Sequence, residues 1–210
     1  LTMIQAYAEM MRDIPGENTP ENVQVIIDEA GHLTGMVNDL LDISKLQAGV
    51  TQLNKAHFNL TKNLQAAVQR IGRMASANEF TIELICDHDE EVFVDADEFK
   101  IYQVVYNLIN NALNYSGDSR HVIVRQECIG DTVKVSVQDF GPGIAKENLP
   151  LVWERYYKVD KEHRRSFNGS GLGLAIVRKI LELHNAQYGV DSTLGRGSTF
   201  WFCLKVSDEN

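Results

Sequence analysis

The chain has 210 residues and 44% hydrophobic content, enough to bury a core in one large domain or two smaller ones. Its formal net charge of −9 argues against nucleic acid as a partner, since a phosphate backbone needs a basic face. No apolar run approaches the roughly 18 residues of a membrane span. The cysteines Cys86, Cys128 and Cys203 stand singly, without metal-ligand spacing, as reduced strand residues do.

No signal-peptide pattern opens the chain, which begins without Met directly in a helical pattern and reads as an excised fragment. Thr2 to Met11 form the end of a helix, with Ile4, Ala8 and Met11 on one side. Arg12 to Pro20 is a turn, with Thr19 as N-cap and Pro20 at the first helical position. The next helix runs to about Ala48. In it Val23, Ile26, Ala30, Leu33, Val37, Leu40 and Ser44 alternate spacings of three and four, a heptad seam. Ile27, Met36, Leu41 and Ile43 broaden that seam beyond what a lone hairpin covers. Two hairpins closing a four-helix bundle would bury it; the plainer reading is an amphipathic helix packed on its own domain.

Gly49 ends this helix and residues 50 to 56 form a short polar linker. The remainder reads as an α+β domain. Phe58 to Leu60 is a strand entering a helix over Thr61 to Asn78, and Phe80 to Cys86 and Val92 to Val94 are strands. Asp95 or Asp97 caps a long helix to Tyr115. His121 to Cys128 and Thr132 to Asp139 alternate around a turn at Gly130-Asp131. A helix over Gly171 to His184 and strands at Tyr188 to Ser192 and Ser198 to Leu204 complete it. No internal repeat or low-complexity tract is present.

Three segments carry chemistry. On the long helix Asn107, Asn111 and Asn114 fall within an arc of about 60°, beside the apolar Val104, Leu108 and Ala112. Asparagine favours caps and turns, so an Asn stripe serves something other than helix stability; the alternative is a solvated polar edge. A carboxamide oxygen suits Mg²⁺, which keeps waters and phosphate oxygens in its shell. Second, Asp139-Phe-Gly-Pro-Gly143-Ile144 follows an alternating strand. Its glycines permit a sharp turn, and its carboxylate can accept from an exocyclic amino group such as that of adenine. Alone it is a loop with an acidic residue.

Third, Asn168-Gly-Ser-Gly-Leu-Gly-Leu174 opens a helix whose free N–H groups suit anions. Ahead of it lies a net basic loop, with Lys158, Lys161, Arg164 and Arg165 against Asp160 and Glu162. That loop is either a phosphate lid or a solvated charged loop.

In kind and order, Asn107 to Tyr115, Asp139 to Ile144, Trp153-Glu-Arg-Tyr-Tyr157 and Gly169 to Leu174 resemble the Asn box, first glycine box, F box and second glycine box of sensor histidine kinases. Gly195-Arg-Gly-Ser-Thr-Phe200 is similar to that family's last hairpin. The resemblance covers nearly the whole chain. It implies a helical hairpin for dimerisation and phosphotransfer over 1–48, a linker at 49–56, and an ATP-binding domain over 57–207. The implied fold is an α+β two-layer sandwich of Bergerat type behind a hairpin forming a dimeric four-helix bundle.

By the same resemblance Asn111 holds Mg²⁺ on ATP, with Asn107, Asn114 and Tyr115 beside the triphosphate. Asp139 and Gly141 meet the adenine amino group, and Gly143, Ile144, Leu172 and Leu174 wall the base. Tyr157, Lys158 and the backbone of Gly169, Ser170, Gly171 and Gly173 meet ribose and phosphates, and Thr199 supports the adenine end. The implied activity moves the γ-phosphoryl of ATP to a histidine and then to an Asp of a response regulator. The implied setting is a homodimer on the cytoplasmic side of a membrane-anchored bacterial sensor.

The sequence departs from the family at four places. Asn114 stands where many members have Lys, Lys158 where Arg is frequent, and Trp153 where Phe is usual. The acceptor motif of His-x-x-Arg-Thr-Pro type is absent, and His32, His57, His88, His121, His163 and His184 all lack its context, so the acceptor is expected upstream. An ATPase clamp of the same nucleotide fold is the alternative. Such ATPases place a Glu four residues before the metal-binding Asn, and here Asn107 stands there and cannot act as a base. A module that only dimerises and binds a regulator is the third reading.

Overall fold

The computed structural model describes residues 2–47, 52–87, 91–157 and 171–207. Lys158, Gly169, Ser170, the basic loop they bound, and His88 and His163 lie outside the described residues. Two helices come first, α1 (Thr2–Asp13) and α2 (Pro20–Gln47). Thr19 caps α2, its Oγ1 accepting from the Asn22 N–H at 3.2 Å, and the Asn22 carboxamide donates to the Glu17 carbonyl at 2.7 Å. α1 packs on α2, and Ile4, Tyr7, Met10 and Met11 are its half-buried residues. Ala8 is exposed instead: either residue fits a 3.6 period, and the longer side chain reaches the neighbour.

The rest of the chain comprises β1 (Ala56–Asn59), α3 (Leu60–Ala75), β2 (Thr81–Cys86), β3 (Phe93–Ala96), α4 (Glu98–Tyr115), β4 (His121–Ile129), β5 (Thr132–Asp139), α5 (Gly173–His184), β6 (Gln187–Thr193) and β7 (Gly197–Ser207). The strands make one seven-stranded sheet in the order β1-β3-β7-β5-β4-β2, with β6 also paired to β7. Only β2 and β4 run parallel. Gly130, at φ +64°, makes the tight turn of the β4–β5 hairpin. Core-facing strand residues such as Val122, Val124, Val135, Val137, Phe200 and Phe202 are buried with Leu64, Val104, Leu108, Ile176 and Ile180 from the helices, giving helices on one face of the sheet. Cys86, Cys128 and Cys203 are half-buried and form no disulfide among the described residues.

Three differences from expectation have local causes. The helix expected over 61–78 starts at Leu60 and gives way at residue 76 to a short 3₁₀ turn, and Glu79 follows in the left-handed region. The 171–184 helix begins two residues late, because Gly171, at φ +71°, is not helical and its carbonyl accepts from Tyr156 N–H at 2.9 Å. Ile43, assigned to the bundle seam, is buried with Leu46 where α2 packs against α5. Val23, Ile27, Val37, Leu40 and Leu41 remain exposed along α2. None of the described helices is long and apolar enough to cross a membrane.

The helical hairpin meets the sheet domain through polar contacts as well. Gln103 of α4 donates to Asp42 of α2 at 2.7 Å. Asp97, buried at the N-terminus of α4, accepts from Lys100 N–H on Oδ1 (3.0 Å) and from Asn54 N–H on Oδ2 (2.9 Å). Its own N–H donates to His184 Nε2 at 3.1 Å. His184 Nδ1 sits 2.8 Å from the Ile180 carbonyl and must carry the hydrogen there, so Nε2 is the bare acceptor of a neutral ring.

Burial pushes the His184 pKa down, against the favourable pull of the Ile180 carbonyl. The folded protein therefore binds this proton less readily than the unfolded chain. The stabilisation is complete above the unfolded value of about 6.5 and is lost as pH falls from there toward the lowered folded value. Urea midpoints measured at pH 7.5 and 5.5 should drop on acidification, by a smaller amount in His184→Gln.

Candidate functional site

Asp139 ends β5 at 2% exposure, and the backbone N–H groups of Gly141 (2.9 Å) and Ser198 (3.2 Å) both donate to its Oδ1. Oδ2 takes no hydrogen bond among the described residues. Burial pushes this carboxyl's pKa up, and the two N–H donors only partly offset it. The turn that follows is too close to its neighbours for side chains. A Cβ on Gly141 would overlap the Tyr115 carbonyl, and one on Gly143 the Thr193 carbonyl. One on Gly197 would overlap the carbonyl of Asp139 itself.

Side-chain hydroxyls hold this turn to the β6–β7 hairpin. Ile144 N–H donates to Ser192 Oγ at 2.8 Å, and that hydroxyl donates to the Gly197 carbonyl at 2.8 Å, 3.0 Å from Ser198 Oγ. Gly195 N–H donates to the Pro142 carbonyl at 2.7 Å. Thr199, half-buried, lies on β7 opposite Gln138 and Asp191. Ser192, Ser198 and Gly197 escaped the sequence reading as site residues. The Gly195-Arg-Gly-Ser198 hairpin signalled Gly197 and Ser198, nothing signalled Ser192, and their role depends on hydrogen bonds spanning 48 and 59 residues.

On α4, Asn107, Asn111 and Asn114 are half-buried along one stripe, with Tyr115 at its end. The Asn107 Nδ2 is buried and has no hydrogen-bond partner among the described residues. Burying an amide donor unpaired costs about 1–3 kcal/mol, so this atom is an acceptor's place. Gly173, the first residue of α5, lies against the same carboxamide: a Cβ there would touch Asn107 Oδ1 at 3.7 Å. Among the described residues no side chain caps the first turn of α5, whose N-cap position is Leu172. The fold thus brings the Asn stripe to the start of the glycine-run helix, where the positive end of the helix dipole faces it.

Leu172 is buried in the core, while Ile144, Leu174 and Tyr157 pack half-buried at its edge. Trp153 meets Tyr188 (5.1 Å) and Phe200 (5.6 Å) edge-on, a core contact. Arg178 of α5 pairs with Glu154 at 3.0 Å. With the Tyr156–Gly171 hydrogen bond, this joins the two segments that flank residues 158–170.

Residues 96–208 match the family model described as histidine kinase-, DNA gyrase B-, and HSP90-like ATPase, and residues 1–49 match the His Kinase A (phospho-acceptor) domain. The chain is 32% identical to the sensor histidine kinase WalK of Bacillus subtilis (strain 168), over 100% of this chain and 35% of that protein. It is 33% identical to the non-motile and phage-resistance protein of Caulobacter vibrioides, over 87% of this chain and 22% of that one. The chain thus spans about a third or less of these relatives' length. Among solved structures it resembles full-length ShkA in complex with AMPPNP, at 25% identity and TM-score 0.76, covering 99% of this chain and 46% of that one. The histidine kinase ThkA in complex with the response regulator TrrA shares the fold, at TM-score 0.77 and 22% identity, over 98% and 57% of the two chains.

Two variants test the construction of this corner. Gly141→Ala should cost about 1–3 kcal/mol of stability in urea unfolding, because the Tyr115 carbonyl belongs to a packed helix end and cannot retreat. Asp139→Asn should melt at or above the parent at pH 7. A raised carboxyl pKa means that ionisation in the folded state opposes stability as pH rises through the folded value, and the amide removes that charge.

Proposed function

The chain belongs to the histidine kinase-, DNA gyrase B-, and HSP90-like ATPase family, and from that premise we propose that it is the dimerisation and ATP-binding portion of a sensor histidine kinase. The observation that carries the reading is the Asn107 Nδ2, buried and without a hydrogen-bond partner among the described residues, beside Gly173 at the start of α5. A buried donor without an acceptor among the described residues, beside a helix N-terminus, suits the oxygens of a triphosphate.

In this reading Asn107 donates to phosphate oxygen and Asn111, one turn on, offers its carboxamide oxygen to Mg²⁺. Bound Mg²⁺ neutralises charge on the transferring group. Asp139, held from behind by two N–H donors, keeps Oδ2 for the adenine amino group, and Ile144 and Leu174 flank the base. Gly171 lies on the phosphate side, Tyr157 near the ribose, and Thr199 behind the base with Ser198; contact of Lys158, Gly169 and Ser170 with the phosphates is what the family resemblance implies. Asn114 lacks the charge of the Lys common at this position, and the phosphates rely on α5 and the basic loop instead.

The hairpin over 1–48 forms a homodimer through its exposed α2 stripe and presents the acceptor histidine to ATP and, once phosphorylated, to the receiver Asp of a response regulator. Support comes from the phospho-acceptor family match to residues 1–49 and from the exposed Val23, Ile27, Val37 and Leu41. The catalysis is positioning and charge stabilisation, with no protein base required at Asn107.

Calorimetric titration with ATP tests the site. Asn111→Ala should abolish the Mg²⁺-dependent part of the binding, and Asp139→Asn should weaken affinity about 10–100-fold, equivalent to ~1–3 kcal/mol for one mispaired buried contact. Unchanged affinity in both variants places the nucleotide elsewhere. A chain extended at its N-terminus and given γ-labelled ATP should acquire acid-labile, base-stable label. Release of free phosphate without labelling would instead assign an ATPase.

A further inference from the structure

At the far end of α5 from the Asn stripe, a second cavity of about 630 Å³ opens beside the segment that joins the hairpin to the sheet. Its floor is a break in the sheet. On one edge of β7, β6 pairs as far as Cys203, opposite Gln187, and β3 pairs from Val206, opposite Val94. Leu204 and Lys205 therefore stand between two departing strands, with β5 on their other edge. The rim carries Lys55, Lys205, His57, Asp95, His184 and Asn185.

The charge on this rim is not internally matched. Asp95, its one carboxylate, faces His57 Nδ1 at 3.3 Å, and Ser207 Oγ approaches the same nitrogen at 3.1 Å. The His57 ring is held flat on Phe93, with centroids 5.2 Å apart, and its Nε2 makes no hydrogen bond among the described residues. His184 has both nitrogens engaged by Ile180 and Asp97. Lys55 and Lys205 form no ion pair among the described residues, in a chain whose net charge is −9. Among the described residues no three His, Cys, Asp or Glu side chains are placed to hold a metal ion. Two ammonium groups and an imidazole edge around a recess demand oxygen-bearing negative charge.

We propose that this notch in β7 is a binding site for a small dianion, a phosphate or a short dicarboxylate, held between Lys55 and Lys205 with His57 as the third contact. The ligand is read by charge, since two lysines lack the planar fork that would select one geometry. Its consequence follows from Lys55. This residue adjoins Asn54, whose N–H is fixed to Asp97 at the start of α4. A dianion bridging Lys55 to Lys205 ties the connecting segment to the sheet and stiffens the attachment of the hairpin.

The test titrates the chain with inorganic phosphate, and separately with succinate, at constant ionic strength in chloride while following backbone amide NMR shifts. Saturable shifts clustered at Lys55, His57 and Lys205 are expected. Saturation by phosphate alone assigns a phosphate ligand, by succinate alone a dicarboxylate, and by both the shared dianion chemistry; each supports the site. Lys55→Ala and Lys205→Ala should each weaken binding about fivefold, as losing one ammonium–anion contact near water does, while Lys146→Ala leaves it unchanged. Both lysines are exposed, so these variants keep the fold. Linear shifts without saturation, shifts confined to Asn111 and Gly173, or equal weakening by all three substitutions would overturn the proposal.

Discussion

The Asp97 carboxylate holds the structure together at the point where its parts could most easily separate. One oxygen caps α4, the other fixes the segment leaving the helical hairpin, and the residue's own N–H is received by the C-terminal end of α5. α4 and α5 are distant in sequence yet must run side by side for the Asn stripe of one to meet the start of the other. Hydrophobic packing supplies most of the adhesion, but apolar contact alone leaves helices free to slide by a turn. A buried residue whose carboxylate accepts two directed hydrogen bonds and whose N–H donates a third admits one register.

Around the candidate nucleotide site, backbone does much of what side chains do elsewhere. Asp139 is oriented by two peptide N–H groups, the turn after it is stitched through Ser192, and the helix opposite offers peptide N–H groups of its own. Glycine recurs because the strands and turns approach each other closely, with Gly141 against Tyr115 and Gly197 against Asp139. Within this framework two polar atoms stay unpaired among the described residues, the buried Asn107 amide and Asp139 Oδ2. Natural interiors rarely tolerate such an atom, and where one persists a ligand is its natural partner.

The hairpin and the sheet domain share a real interface, and it is modest. Ile43 and Leu46 enter the core, Asp42 meets Gln103, and Asn54 meets Asp97. Beyond these contacts α2 exposes apolar side chains over most of its length, consistent with a helix that has a second interface to make. A joint of this size can hold one arrangement while permitting another.

The strands, the helices and the order of the motifs were legible from periodicity and punctuation, because alternation along β4 and β5, the Thr19-Pro20 start of α2 and the Asp97 cap are local signals. The Asn stripe on α4 was legible for the same reason, since helical spacing alone places Asn107, Asn111 and Asn114 together. What the sequence could not reveal was contact between distant segments. Ile43 looked like one more seam residue until α5 was found beside it, and Gly171 looked helical until its carbonyl proved to be taken by Tyr156. Ser192 stood outside every motif and Ser198 only inside the Gly195–Phe200 hairpin, their importance arising only when β6 and β7 close over Asp139. Local physics, the preference of each residue for a dihedral and a face, is written along the chain. The pairing that turns an unremarkable serine into an anchor, or leaves Asn107 without a partner, exists only once the chain has folded back on itself.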